Sequence, residues 1–206
     1  MKENYDKLMM KEIEVLTEGG KVRPRILLHS CCGPCSTAVI ERLYEYFDIT
    51  VFFYNPNIDD REEYEHRKAE QIRFISEKYG LDEVAFVEGP YDSETFLSFG
   101  ENLKNEPEGG ARCSLCFDLR LETTAKEAVN NNFSIFSTTL TVSPMKNPVI
   151  INEIGLRLGA EYGLKYLVAD FKKRAGYQRS IELSKEFSLY RQHFCGCSFA
   201  AEFQQC

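Results

Sequence analysis

In the stretch PRILLHSCCGPCS, Pro24 to Ser36, residues Pro24–Ser30 form a short and mostly apolar run that ends in a Gly-Pro turn. That is the pattern of a buried strand. From Ser36 to Phe47, Ala38, Val39, Leu43 and Tyr46 then recur on one face, so a helix follows the strand. Outward from this unit the alternation repeats. Ile49–Tyr54 reads as a strand stopped by Asn55-Pro56-Asn57, and residues 59–78 as a surface helix with Tyr64, Ile72, Phe74 and Ile75 on its apolar side, ending at Gly80. Strands at Val84–Val87, Ser134–Ser137 and Lys165–Ala169 interleave with helices near Ser93–Leu103, Cys113–Asn130, Asn152–Tyr162 and Gln178–Leu189. The polar stretch Asn105–Arg112 is the longest expected loop.

Strands separated by whole helices need crossover connections, which predicts an α/β fold with a mainly parallel sheet and helices on both faces. Residues 1–20 form an amphipathic helix in this reading, with Tyr5, Leu8, Met9, Ile13 and Leu16 on one side and Gly19-Gly20 as the stop. The expected organisation is a helical extension, residues 1–20, ahead of a single α/β domain, residues 21–206. Composition agrees: 206 residues, 43% hydrophobic and 28% charged, exclude collagen, coiled coil and disorder as the main state. No apolar run approaches the roughly 18 residues that span a bilayer, and the polar start shows no secretory signal, so a cytoplasmic protein is expected. A formal net charge of −7 argues against a surface that coats nucleic acid throughout, while leaving room for a local basic patch.

The eight cysteines are the anomaly. In a reducing compartment their uses are core filling, catalysis or metal ligation rather than disulfides. Seven fall in three tight groups: Cys31, Cys32 and Cys35; Cys113 and Cys116; Cys195 and Cys197. Short repeated spacings are what a metal needs when neighbouring thiolates must converge, so the clustering favours metal. The first group follows the first strand at the entry to its helix, where carboxyl strand ends form sites and a helix N-terminus favours thiolate. Cys113 and Cys116 share one face of a second helix start, and Gly196 lets the chain turn between Cys195 and Cys197.

Zinc held by two CxxC pairs would leave three of the seven without a task, and a Cys32/Cys35 redox pair would leave more. Seven thiolates exceed one four-ligand centre and suggest an iron–sulfur cluster beside a second metal or reactive site. Cys206 stands alone and is read as incidental. His29 and His193 each precede a cysteine group by two residues and could bond a sulfur or donate a proton; His66 is read as solvated. Asp170 closes the last strand, as an acid, a hard metal ligand or a helix cap, and Asp118 as an ordinary helix-surface charge. From Arg157 to His193 basic residues exceed acidic ones, with Phe171, Tyr177 and Tyr190 interleaved around Lys172, Lys173 and Arg174, a composition suited to phosphate contact and base stacking.

These blocks resemble the cobalamin-independent epoxyqueuosine reductases called QueH, formerly a domain of unknown function. The resemblance runs from about Arg25 to Ala200 and rests on LLHSCCGPCS, FFYNPNI with Glu63, Tyr64 and Arg67, EGGARCSLCFDLRLE, STTLTVSP, ADFKK and YRQHFCGCS. It implies reduction of the epoxide of epoxyqueuosine to queuosine at the wobble base of tRNAs with a GUN anticodon. It also implies a Rossmann-like fold of the adenine nucleotide alpha hydrolase kind, and a [4Fe-4S] cluster with a nearby mononuclear iron. The ligands would come from Cys31, Cys32, Cys35, Cys113, Cys116, Cys195 and Cys197, with Cys35 a candidate for the second iron. The proton donor would be His29, Asp170 or His193. Tyr54 and Asn55 would position the modified base, and Arg112, Arg120, Lys172, Lys173 and Arg174 would hold tRNA phosphates. Two electrons per turnover require a low-potential donor, which the sequence does not identify. The alternatives from other classes are a zinc-stabilised RNA-binding module and a small electron carrier.

Overall fold

The computed structural model describes residues 3–201. Its elements run α1 (Tyr5–Leu16), β1 (Arg25–Ser30), α2 (Gly33–Leu43), β2 (Asp48–Phe53), α3 (Arg61–Lys78), β3 (Ala85–Glu88) and α4 (Ser93–Gly100). A 3₁₀ turn, Glu101–Leu103, leads to α5 (Ala111–Asn130) and β4 (Ile135–Thr138). After a second 3₁₀ turn, Thr139–Val142, come α6 (Pro148–Tyr162), β5 (Lys165–Tyr166), α7 (Gly176–Glu186) and the short α8 (Ser198–Ala201). The strands form one parallel sheet in the order β3-β2-β1-β4-β5. This is the expected Rossmann-like α/β fold.

The two-residue period of β1 sorts its side chains between two cores. Ile26 and Leu28 pack with Val39, Ile40, Leu43 and Phe74 from α2 and α3. Leu27 faces the other way, onto Phe117, Leu121 and Ala125 of α5 and Phe136 of β4. Each such side chain, buried completely, contributes about 1.5–3 kcal/mol. Met9 and Ile13 of α1 enter the first core, so this helix packs against the sheet. Glu12 ties α1 to β5 through Lys165 at 2.6 Å.

Two elements depart from the sequence expectation. The helix expected over Ser93–Leu103 is α4 followed by a 3₁₀ turn. β5 covers only two of the five residues expected at Lys165–Ala169, although Leu167 N–H still donates to Phe136 C=O of β4 at 2.9 Å. The buried Asn152 side chain takes over instead, accepting from Ala169 N–H at 3.0 Å and donating to Ala169 C=O at 2.9 Å.

Since β1 lies between β2 and β4, the direction of winding reverses between β1 and β4. Crevices form at the carboxyl ends of strands at such a switch point. The loop after β1 and the loop after β4 are therefore placed to build a site together.

Candidate metal centre

The turn from β1 into α2 carries Cys31, Cys32 and Cys35 on consecutive backbone, with Cys32 at the N-cap of α2 and Pro34 in its first turn. Their sulfurs all lie within 4.8 Å of one another, a spacing that could hold a metal ion. Thr139, at the end of β4, accepts from Cys31 N–H at 3.3 Å and donates to Cys31 Sγ at 3.6 Å. Beneath the turn Ser30 donates to Gln71 Oε1 at 2.6 Å, Gln71 donates to Ser36 at 2.8 Å, and Ser36 donates to Gly33 C=O at 2.8 Å. The turn rests on satisfied buried polar groups. Hydrogen bonds from Cys32 and Cys35 hold the Cys31 thiol well below its ordinary value, whereas burial pushes Cys32 up to about 11.

The other four cysteines come from two remote segments. Cys113 and Cys116 stand in the first turns of α5, with Gly109 N–H donating to Cys113 Sγ at 3.2 Å. Cys195 and Cys197 flank Gly196, whose φ of +101° is a conformation that side chains resist. A Cβ there would also lie 2.7 Å from Ile58 and 3.2 Å from Arg67. This arm is docked by Arg67 of α3, which is 2% exposed and bonded to Glu63. Arg67 donates to Cys195 C=O at 3.1 Å and Phe194 C=O at 3.4 Å, and Asn57 donates to Cys195 C=O at 2.9 Å. Burial raises Cys113 and lifts Cys116 to about 11; the Cys197 thiol, by donating to Cys195, lowers Cys195 to about 6.

Two adjoining cavities are lined by all of these cysteines except Cys32. The larger, of about 300 Å³, is lined by Cys31, Cys35 and Cys195 together with Tyr177, Gln192 and His193. The smaller, of about 30 Å³, is lined by Cys113, Cys116, Cys195 and Cys197. Arg120, Met145, Lys146, Glu108 and Cys195 belong to both linings. Burial opposes the Lys146 ammonium, but the sulfur groups of Cys31, Cys35 and Cys195 outweigh it and hold its pKa above the ordinary lysine value.

The other expected site residues scatter. His193 lines the larger cavity. His29 is buried behind it and lines neither; its Nδ1 meets Thr138 Oγ1 at 2.8 Å, and its Nε2 lies 3.1 Å from Tyr54 C=O and 3.3 Å from Arg120 Nε. Burial, reinforced by the Arg120 charge, pushes His29 down to about 3, so the ring is neutral. Asp170 also lies outside both linings, and Ala175 occupies the N-cap of α7, which removes the helix-cap reading of Asp170. Asn55 accepts from Arg120 at 2.5 Å and donates to Ser30 C=O at 2.9 Å, while the Tyr54 ring is buried against Phe52.

The expected phosphate contacts need correction. Arg112 and Arg120 are 1% and 2% exposed, so neither can meet a phosphate on the protein surface. Lys172 is bonded to Lys146 C=O at 3.1 Å and Arg174 to Asp6 at 3.0 Å; Lys173 is exposed, and none of the three lines either cavity. Cys206 lies outside the described residues. Sequence reasoning missed Lys146 and the docking role of Arg67. The signals were present: Lys146 directly follows the STTLTVSP block, and Arg67 sits inside a quoted one.

A Rossmann-like layer with six cysteines lining adjoining cavities at its switch point, and a seventh, Cys32, in the same turn as Cys31, defines a candidate metal-binding α/β protein. Comparison with known proteins narrows this class. The family model described as epoxyqueuosine reductase QueH matches residues 26–202. The chain is 44% identical over 203 residues to epoxyqueuosine reductase QueH of Staphylococcus epidermidis, covering 96% of this chain and 84% of that one. It is 45% identical over 204 residues to the Streptococcus pyogenes protein of the same name, covering 98% and 79%. Against the Thermotoga maritima protein of that name, identity is 36% over 178 residues, covering 85% and 89%. The chain belongs to the epoxyqueuosine reductase QueH family, a family of oxidoreductases.

Proposed function

We propose that this protein reduces epoxyqueuosine to queuosine at the wobble position of tRNAs with a GUN anticodon, the last step of queuosine biosynthesis. The observation that carries the reading is the convergence of three separate cysteine segments on two adjoining cavities. The donor set suits iron: soft thiolates favour iron–sulfur clusters over hard cations. Buried polar atoms without a hydrogen-bond partner also collect there, Gln192 Oε1 on the larger cavity and Asn57 Oδ1 and Arg112 Nη2 on the smaller. Cys31, Cys32, Cys35, Cys113, Cys116, Cys195 and Cys197 would together hold a [4Fe-4S] cluster and a mononuclear iron. When bound, the cluster supplies electrons singly and the iron polarises the epoxide oxygen.

Loss of that oxygen as water consumes two electrons and two protons and leaves an alkene. The chain's own residues orient the substrate and hold the protons. Lys146 presents its ammonium where the cavities meet, and His193 stands on the wall of the larger one. Arg120 is fixed by Asn55 and His29 and faces both cavities, which suits it to orient the modified base rather than a phosphate. Tyr177, 38% exposed on the larger cavity, and Arg191, about one ring-width away at 6.0 Å, offer stacking and charge to the anticodon loop. Phosphate contacts at this rim make binding salt-sensitive despite the acidic whole. Residues 21–206 are the working unit in this reading, with residues 1–20 as its extension. Among the described residues no helix is long and apolar enough to cross a membrane; a tRNA substrate places the reaction in the cytoplasm.

The test is anaerobic reconstitution with iron and sulfide, followed by epoxyqueuosine-containing tRNA and a low-potential reductant. Nucleoside mass spectrometry should show loss of one oxygen. A fully loaded protein that leaves the epoxide intact, or one that binds only zinc and stays colourless, overturns the assignment.

A further inference from the structure

Ser143, Pro144, Met145 and Lys146 follow the second 3₁₀ turn and make a turn of their own, closed by Lys146 N–H donating to Ser143 C=O at 3.3 Å. Proline at its second position presets φ, whereas the third position ordinarily goes to Gly, Asn, Asp or Ser. Here it is Met145. Its N–H donates to Ser143 Oγ at 3.3 Å, Lys172 donates to Lys146 C=O at 3.1 Å, and Asn147 caps α6 by accepting from Val149 N–H at 3.0 Å. The turn is tied down on both sides, and it holds the Met145 side chain 67% exposed. Single exposed apolar residues are ordinary; the position of this one is not. Among the described residues only Val15 is a more exposed large apolar side chain, and Val15 lines neither cavity. Met145 lines both.

What Met145 meets follows from the cavity beside it. Of the charged side chains on the larger lining, Arg67, Arg120, Lys146 and Arg191 are cationic and Glu108 is acidic. Arg67 is already paired with Glu63, which leaves three cations against one carboxylate. Tyr177 adds a partly exposed aromatic face to the same lining. Cationic groups beside an open ring are what single-stranded nucleic acid takes, its phosphates on the first and its bases on the second. Cys31 on that lining is buried, so a wobble base that reacts there has to leave the stack of its neighbours, at a cost in free energy. Proteins that prise bases apart offset the lost stacking with an apolar wedge, methionine among them. We propose that Met145 is such a wedge: it enters the anticodon loop where the wobble nucleotide leaves, packs on the base 3′ to it, and so keeps the modified base in the larger cavity. The inference rests on the tRNA reading above and is independent of how the seven cysteines divide between metals.

The experiment compares wild type, Met145→Ser and Met145→Leu, all reconstituted anaerobically, on two anticodon stem-loops that carry epoxyqueuosine. One keeps the natural base 3′ to the wobble position and the other has an abasic residue there. On the natural loop Met145→Ser should lose about tenfold in kcat/KM, chiefly through a raised KM. On the abasic loop there is no base to pack on, and the loss should shrink below about twofold. Met145→Leu should recover most of the activity, since a wedge needs apolar volume and not sulfur. Equal losses on the two loops overturn the proposal, and so does a Met145→Ser enzyme that matches wild type on the natural loop. A leucine variant as poor as the serine one would assign the role to the sulfur atom and overturns it too. Iron content and melting temperature should stay at wild-type values in both variants; a fall in either would place Met145 in the metal centre or the fold, against the wedge. Wild type that leaves the epoxide of both loops and of whole tRNA intact refutes the reductase reading itself, whereas reduction with a silent Met145 refutes the wedge alone.

Discussion

The two sulfur groups are built by opposite means. Cys31, Cys32 and Cys35 share a single turn, seated on hydrogen-bonded Ser30, Gln71 and Ser36, and their sulfurs lie within 4.8 Å of one another. Cys113, Cys116, Cys195 and Cys197 are brought together only by tertiary structure, and the arm bearing the last two is held chiefly through backbone carbonyls by Arg67 and Asn57. A contiguous group is as stable as its own turn. A split group is as stable as its weakest docking contact, so it should be the first to lose metal.

The sharpest way to break the contrast is Arg67→Gln, which removes the guanidinium that grips the arm. Metal retention in the split group should fall roughly 10–100-fold while the contiguous group keeps its iron. Chelator competition would show this as one accelerated phase of iron release beside one unchanged phase; equal acceleration of both would end the distinction. Gly196→Ala attacks the arm through its backbone. The new methyl meets Ile58 and Arg67 at positive φ, for about 1–3 kcal/mol, with hydrogen exchange rising across residues 194–198. An alanine variant with wild-type exchange would show that the arm has slack.

On the contiguous side, Gln71→Ala strands Ser30 and Ser36 without their buried partner and should cost about 1–3 kcal/mol in urea unfolding. The split group's iron should be indifferent to it. The smallest effect concerns Glu41 of α2, whose carboxyl Arg179 and Lys78 hold down at about 2 against an ordinary 4.5. Because the folded value lies below the unfolded one, the stabilisation is complete above about pH 4.5 and is lost as pH falls through about 2. Glu41→Gln should flatten the stability profile in that window and lower stability at neutral pH, where the ion pairs are fully formed, converging on wild type only in strong acid; a wild-type acid slope would show that the pair does not hold α2.

Much of the fold was readable because each strand is an apolar run bounded by Gly, Pro or Asn, and each helix has its own apolar face. The shortness of β5 was not, since it depends on Asn152 replacing a strand across ten residues or more of intervening chain. The cysteine groups were legible through spacing. The fates of the basic residues were not: Arg112, Arg120 and Arg67 look in sequence like any surface arginine, and only the packed structure turns them inward. Lys146 escaped for a related reason, as a lone lysine acquires meaning from the sulfurs opposite it.

Cys195 and Cys197 follow the last strand of the sheet in the chain, and synthesis delivers them after every layer on which they dock. Chains fold progressively as they leave the ribosome, so the parallel sheet and the Cys31 turn can be in place while the split group still lacks half of its sulfurs. A nascent or prematurely terminated chain would thus carry a finished scaffold that cannot close around the split centre, and loading there is deferred until translation has passed residue 197.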